Sequence, residues 1–145
     1  MRNDIPTTMI RRPFPVFRMV FGLAAACFGG GLVTDIVYAE VPNMQWSNFS
    51  MWLITAGLVV AALAAVVGIV ELVVTRPGRW FRTGWALPFG AAAASIVSVF
   101  NAFVHSRDAY QSVVPTGLTL SVVAVLVLLL IPIVERGTRF SEGLA

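Results

Sequence analysis

The sequence predicts an all-α membrane protein, a four-transmembrane-helix antiparallel bundle with both termini cytoplasmic. Three observations lead there. Apolar residues make up 58% of the chain and charged residues only 12%, against about half and a quarter in a soluble globular domain. The mean hydropathy is +0.85. Four apolar runs of a bilayer-crossing length are separated by short polar links. The 145 residues read as one domain, residues 1–145. A disordered tail, a coiled coil and an ordinary soluble enzyme are excluded by the same figures.

The runs are Val16 to Tyr38, Phe49 to Val74, Trp85 to Val104 and Val113 to Val134. About 20 residues at ~1.5 Å rise cross a hydrocarbon core of ~30 Å. A backbone in lipid must satisfy its own hydrogen bonds, so each run is expected to be a helix. No run alternates in polarity, which argues against a β-barrel. Glu40 to Asn48 is expected to join the first pair, Thr75 to Gly84 the second and His105 to Ser112 the third. Such short links favour sequential antiparallel neighbours. Pro88 and Pro115 fall near helix starts, where a missing N–H costs little. Pro132 is expected to kink or fray the end of the fourth span.

Arg11-Arg12-Pro13-Phe14 resembles a twin-arginine export signal, and Ala24-Ala25-Ala26-Cys27 faintly resembles a lipoprotein box. Val37-Tyr38-Ala39 before Glu40 has the spacing of a signal-peptidase site. The run is long for a signal peptide and three more spans follow, so an uncleaved first span is expected. The arginines set the orientation. Arg2, Arg11, Arg12, Arg18, Arg76, Arg79, Arg82, Arg136 and Arg139 fall on one side of a four-span bundle, and Arg107 alone on the other. The positive-inside rule puts the richer side in the cytoplasm. The pI near 10.0 follows from those loops and not from a nucleic-acid surface, because no basic stripe forms. Trp46, Trp52, Trp80 and Trp85 lie at span ends, as interfacial anchors do.

Small residues recur at helical spacing: Gly22, Ala26, Gly30 and Thr34; Gly57, Ala61, Ala64, Ala65 and Gly68; Gly90, Ala94, Ser98 and Ala102. Helices in lipid associate through such positions. The bland reading is packing within the chain; the sharper one is a homo-oligomer interface. The fourth span carries only Gly117, Ser121 and Ala124 and is expected to face lipid more.

Polar groups at membrane depth usually face protein or water. Asp35 lies one turn inside the end of the first span. Ser98, Asn101 and His105 share a face of the third, and Arg107, Asp108 and Tyr110 follow. Thr116 and Thr119 open the fourth span at that level. Asp35, Asn101, His105 and Arg107 are thus expected to form one outer-leaflet cluster. The structural reading is an Asp35–Arg107 or Asp35–Asn101 tie; the functional one is a proton-active or small-ligand site with His105 titrating. Glu71, on the small-residue face of the second span, is the inner-leaflet charge. It is expected to pair with Arg76, Arg79 or Arg82 or to snorkel, the alternative being a proton-pathway carboxylate. One Cys and one His make no zinc site. No nucleophile–base pair, phosphate loop or metal spacing appears, so neither enzymatic action by this chain nor a bound cofactor is expected.

Thr34-Asp35-Ile36-Val37-Tyr38, Gly68-Ile69-Val70-Glu71, Asn101, Arg107-Asp108, Val114-Pro115-Thr116-Gly117-Leu118 and Ser121 follow in order. Over roughly Phe21 to Leu130 the chain resembles the bacterial membrane family catalogued as domain of unknown function 2231. The resemblance implies a multi-pass protein of the bacterial inner (plasma) membrane. It also implies company with periplasmic or quinone-linked oxidoreductases, including sugar dehydrogenases of the pyrroloquinoline-quinone type. Many relatives carry histidines near the first span and in the third, suited to haem. Arg12-Pro13-Phe14-Pro15 and Trp85-Ala86-Leu87-Pro88 offer none here.

Three functions follow as expectations. The first is a non-enzymatic membrane subunit or anchor for a periplasmic-facing redox partner, docked by the two outer loops. The second is a small oligomeric transporter or channel using Asp35 and His105. The third is a quinone- or haem-linked electron carrier. The orientation is directly testable: a reporter fused after Ala145 is expected to be active in its cytoplasmic form, and activity only in the periplasm contradicts the arginine count.

Overall fold

In the computed structural model, residues 15–74, 85–107 and 113–142 are described. They form α1 (Pro15–Glu40), α2 (Met44–Val74), α3 (Ala86–Arg107), a wide π turn (Val113–Gly117) and α4 (Leu118–Glu142). All four helices are long and apolar enough to cross a membrane, with spans of 25, 31, 21 and 25 residues. No strand occurs among the described residues. Large apolar side chains such as Met19, Trp52, Val73 and Phe89 point outwards, the arrangement that suits lipid rather than water.

The first link is shorter than the sequence suggests. Only residues 41–43 separate α1 from α2, not Glu40 to Asn48. Asn43 explains the difference: its side-chain oxygen accepts from the Gln45 amide at 3.0 Å, an N-cap that starts the helix at once. At the far side Pro132 does not end α4, which runs on to Glu142. Val114 is extended (φ −120°, ψ 125°), as the residue before a proline tends to be, and this breaks the helix ahead of Gly117.

The helices form two hairpins, α1–α2 and α3–α4, closed into a ring by α1–α4 and α2–α3 contacts. The starts of α1 and α3 and the ends of α2 and α4 share one end of the bundle, where Phe17 meets Gly68 and Ile131 meets Gly90. The apolar core lies toward that end, built from Phe17, Phe21, Ala24, Phe28, Ala61, Ala64, Leu87, Ala91 and Ile131. Phe17 and Phe21 stack, ring centroids 5.8 Å apart.

Large residues on one helix fill the space over small ones on the next. A Cβ on Gly57 would lie 2.7 Å from Phe28 and one on Gly90 2.4 Å from Ile131. The stripes on the second and third spans therefore pack within the chain, except Ala65, which is exposed. The stripe on the first is split: Gly30 lies against Leu53 and Thr34 is buried. Gly22 and Ala26 are exposed, because the buried face of α1 is the aromatic row Phe17, Phe21 and Phe28, about 100° around the helix from Gly22. The fourth span, with 22% of its apolar window buried, is more open to lipid than the first (33%) and third (28%) and equal to the second.

This packing predicts opposite outcomes for two similar changes. Gly57→Ala, against the rigid Phe28 ring, should destabilise the detergent-solubilised protein by about 1–3 kcal/mol. Gly22→Ala meets nothing within 4 Å and should be neutral or stabilising by up to ~1 kcal/mol. Thermal unfolding of both variants checks the pair.

Candidate functional site

At the end of the bundle away from the apolar core, each helix contributes a polar side chain to one closed cluster. Asp35 comes from α1, Ser50 from α2, Asn101 and His105 from α3, Ser121 from α4. All five are buried, with Asp35 and Ser50 at 0% exposure. The helical spacings place them there: Asn101 and His105 are one turn apart, and Ser121 follows Gly117 by the same interval.

Asp35 is the centre. Its Oδ1 accepts from Ser50 Oγ in a short hydrogen bond and faces His105 Nε2 at 3.0 Å. Its Oδ2 accepts from Ser121 Oγ at 2.5 Å. Ser121 Oγ in turn accepts from Asn101 Nδ2 at 2.7 Å. His105 Nδ1 lies 3.0 Å from the Asn101 carbonyl oxygen. A carbonyl can only accept, so Nδ1 carries a proton. His105 Nε2 is within hydrogen-bond reach of both Asp35 Oδ1 at 3.0 Å and Ser50 Oγ at 3.4 Å. Gly117 makes the closure possible: a Cβ there would lie 2.7 Å from His105 Cε1, so only a glycine lets α4 pass over the imidazole. Both side chains of the Asp35–His105 pair have no exposed surface.

Asp35, Asn101 and His105 come together, but the direct tie is Asp35–His105, and Asn101 reaches Asp35 only through Ser121. The Arg107 side chain, Asp108 and Tyr110 lie outside the described residues. Thr116 and Thr119 are exposed, Thr119 bonding back to the Thr116 carbonyl. Ser50 is the member that sequence reasoning missed. Its signal was faint: Ser47, Ser50, Ile54 and Gly57 follow helical spacing on the buried face of α2. In the sequence Ser121 stands as a small residue of the fourth span and as one of the residues that carry the family resemblance.

The opposite end holds two charged contacts. Glu71 accepts from the backbone amides of Val16 at 3.0 Å and Phe17 at 3.3 Å. Its partner is therefore the start of α1, whose first N–H groups lack intrahelical acceptors and carry partial positive charge. Arg76, Arg79 and Arg82, expected as its partners, lie outside the described residues. Arg18 pairs with Glu135 in a short contact that ties α1 to α4. Neither partner was foreseen, because the bundle brings together residues from opposite ends of the sequence.

Between α2 and α3, over the Phe17 and Phe21 rings, runs an apolar cleft of ≈ 480 Å³ walled by residues such as Ala62, Ala65, Ala92 and Ser95. Among the described residues no carboxylate, histidine or cysteine lines it. Among the described residues no group of three or more His, Cys, Asp or Glu could hold a metal ion.

A family model described as "Predicted membrane protein (DUF2231)" matches residues 13–137. The chain belongs to this family. Four apolar spans and a polar core at one end of the bundle are what this family member builds. No curated protein and no solved structure matches the chain.

Removing one member of the buried pair leaves the other unsatisfied. Asp35→Ala or His105→Ala should each cost about 3–5 kcal/mol. The double variant Asp35→Ala/His105→Ala should lose clearly less than the sum, since the two share one interaction. Additive losses in a double-mutant cycle would show that the two side chains act apart.

Proposed function

We propose that this protein is a non-enzymatic subunit of the bacterial inner membrane that anchors a periplasmic-facing redox partner. The observation carrying this reading is the separation of chemistry from access. The titratable pair Asp35–His105 is closed to solvent on all sides, whereas the accessible cleft is lined by apolar and small side chains. A surface of that kind binds through shape and van der Waals packing, as a helix or lipid chain in a bilayer requires.

The other two readings ask more of the same residues. A transport path through Asp35 and His105 needs both in contact with water. Electron transfer through a haem held by His105 needs a free ring nitrogen, and both nitrogens are engaged. In the orientation given by the arginine count, the Asp35 end of the bundle faces the periplasm. The short link at residues 41–43 is then part of the docking face.

A tagged copy purified from its native membrane in mild detergent tests the proposal. Mass spectrometry is expected to find an oxidoreductase in stoichiometric amount. Recovery of the chain alone, as a homo-oligomer, contradicts the anchor reading.

A further inference from the structure

The apolar cleft between α2 and α3 has a length and a volume that bear on what can fill it. Its walls run from Leu58 to Leu72 along α2, and from Trp85, just before α3, to Val99. Each wall covers about 21 Å at the helical rise. The walls are antiparallel, so Leu72 and Trp85 stand at the Phe17 end of the bundle. Leu58 stands near the middle, next to the level where Phe28 meets Gly57. The cleft therefore runs along the direction of the lipid chains. It spans one leaflet, half of a bilayer ~40–45 Å thick with its interfaces. Short side chains leave it open: Ala62, Ala65 and Ala92 line it and are exposed.

A helix and a hydrocarbon chain need different amounts of room. A helix about 10–12 Å across takes about 2,000 Å³ over that length, several times the ≈ 480 Å³ of the cleft. The same volume holds about 16 chain carbons at ~30 Å³ each, the share of a water molecule in the liquid. An extended chain that advances ~1.2 Å per bond takes about 17 bonds to cover the length. Length and volume thus agree on one acyl chain.

Charge selects the headgroup. By chain order, nine of the ten arginines belong to the Phe17 end of the bundle, with only Asp4, Glu71, Glu135 and Glu142 of the acids. Two of those acids are already engaged, Glu71 by the α1 amides and Glu135 by Arg18. A basic end beside a membrane surface attracts anionic lipid. Among the described residues none that lines the cleft is charged, so a headgroup stays at the interface, level with Trp85.

We propose that the α2–α3 cleft binds one acyl chain of an anionic phospholipid from the leaflet at the Phe17 end, its headgroup held at the basic end of the bundle. The chain supplies the van der Waals contacts that the small residues on α2 and α3 do not make with each other. The inference does not rest on a redox partner, whose docking face lies at the other end of the bundle.

Native mass spectrometry of the whole chain released from detergent micelles tests it. The probe is palmitoyl-oleoyl phosphatidylglycerol, with the phosphatidylcholine of the same chains as competitor. One phosphatidylglycerol should stay on each chain, favoured several-fold over the competitor. Ala65→Leu/Ala92→Leu fills the cleft from two exposed positions and should lower that retention several-fold at an unchanged thermal midpoint. Ala62→Leu is the milder filling and should act in the same direction. Ala26→Leu, on the exposed face of α1 outside the cleft, should leave retention as it was. No retained lipid, retention unchanged by filling, or equal retention of the two headgroups overturns the proposal. So does a dimer that the filled variants break apart, which would put a second copy over the cleft.

Discussion

A carboxylate inside a membrane bundle must be surrounded by donors. Burying an unpaired charge at bilayer depth is costly enough that such residues are held by protein partners. Asp35 is the first span's only acid at depth, and the three other helices each bring it a donor directly or through one hydroxyl. Satisfying this one group fixes the rotation of all four helices at that end. Gly117 follows from it, since α4 has to pass across the imidazole that Asp35 holds.

The two ends of the bundle solve different problems. Toward the start of α1 the helices are held by aromatic rings over glycines and alanines, with Glu71 on the α1 amides and Arg18 on Glu135. These contacts hold the outer pairs together and leave α2 and α3 parted over an apolar cleft. At the Asp35 end hydrogen bonds link side chains from all four helices.

Much of this was legible in the sequence. The four spans follow from hydropathy and length alone, since lipid leaves the backbone few choices. Asp35, Asn101 and His105 could be grouped because span order sets their depth and helical spacing sets their face. Depth and face do not give partners. That His105 meets Asp35 directly, and that Ser50 joins the shell, depend on how the helices turn about their axes. The same limit split the first-span stripe: Gly22 and Ala26 share a face, but Phe17, Phe21 and Phe28 make the larger contact and take the interior. Glu71 looked like one end of a local ion pair because arginines follow it in sequence. The fold gives it donors on the first turn of α1.

The most direct test of the closed cluster uses the single histidine. His105 is the only one in the chain, so ¹⁵N-histidine labelling gives one imidazole in the nuclear magnetic resonance spectrum without assignment. In lipid at neutral pH, Nδ1 should be protonated and both nitrogens should be shielded from exchange with water. A ring exchanging freely with water, or an Nδ1 without its proton, would contradict the closure on which the rest of the account stands.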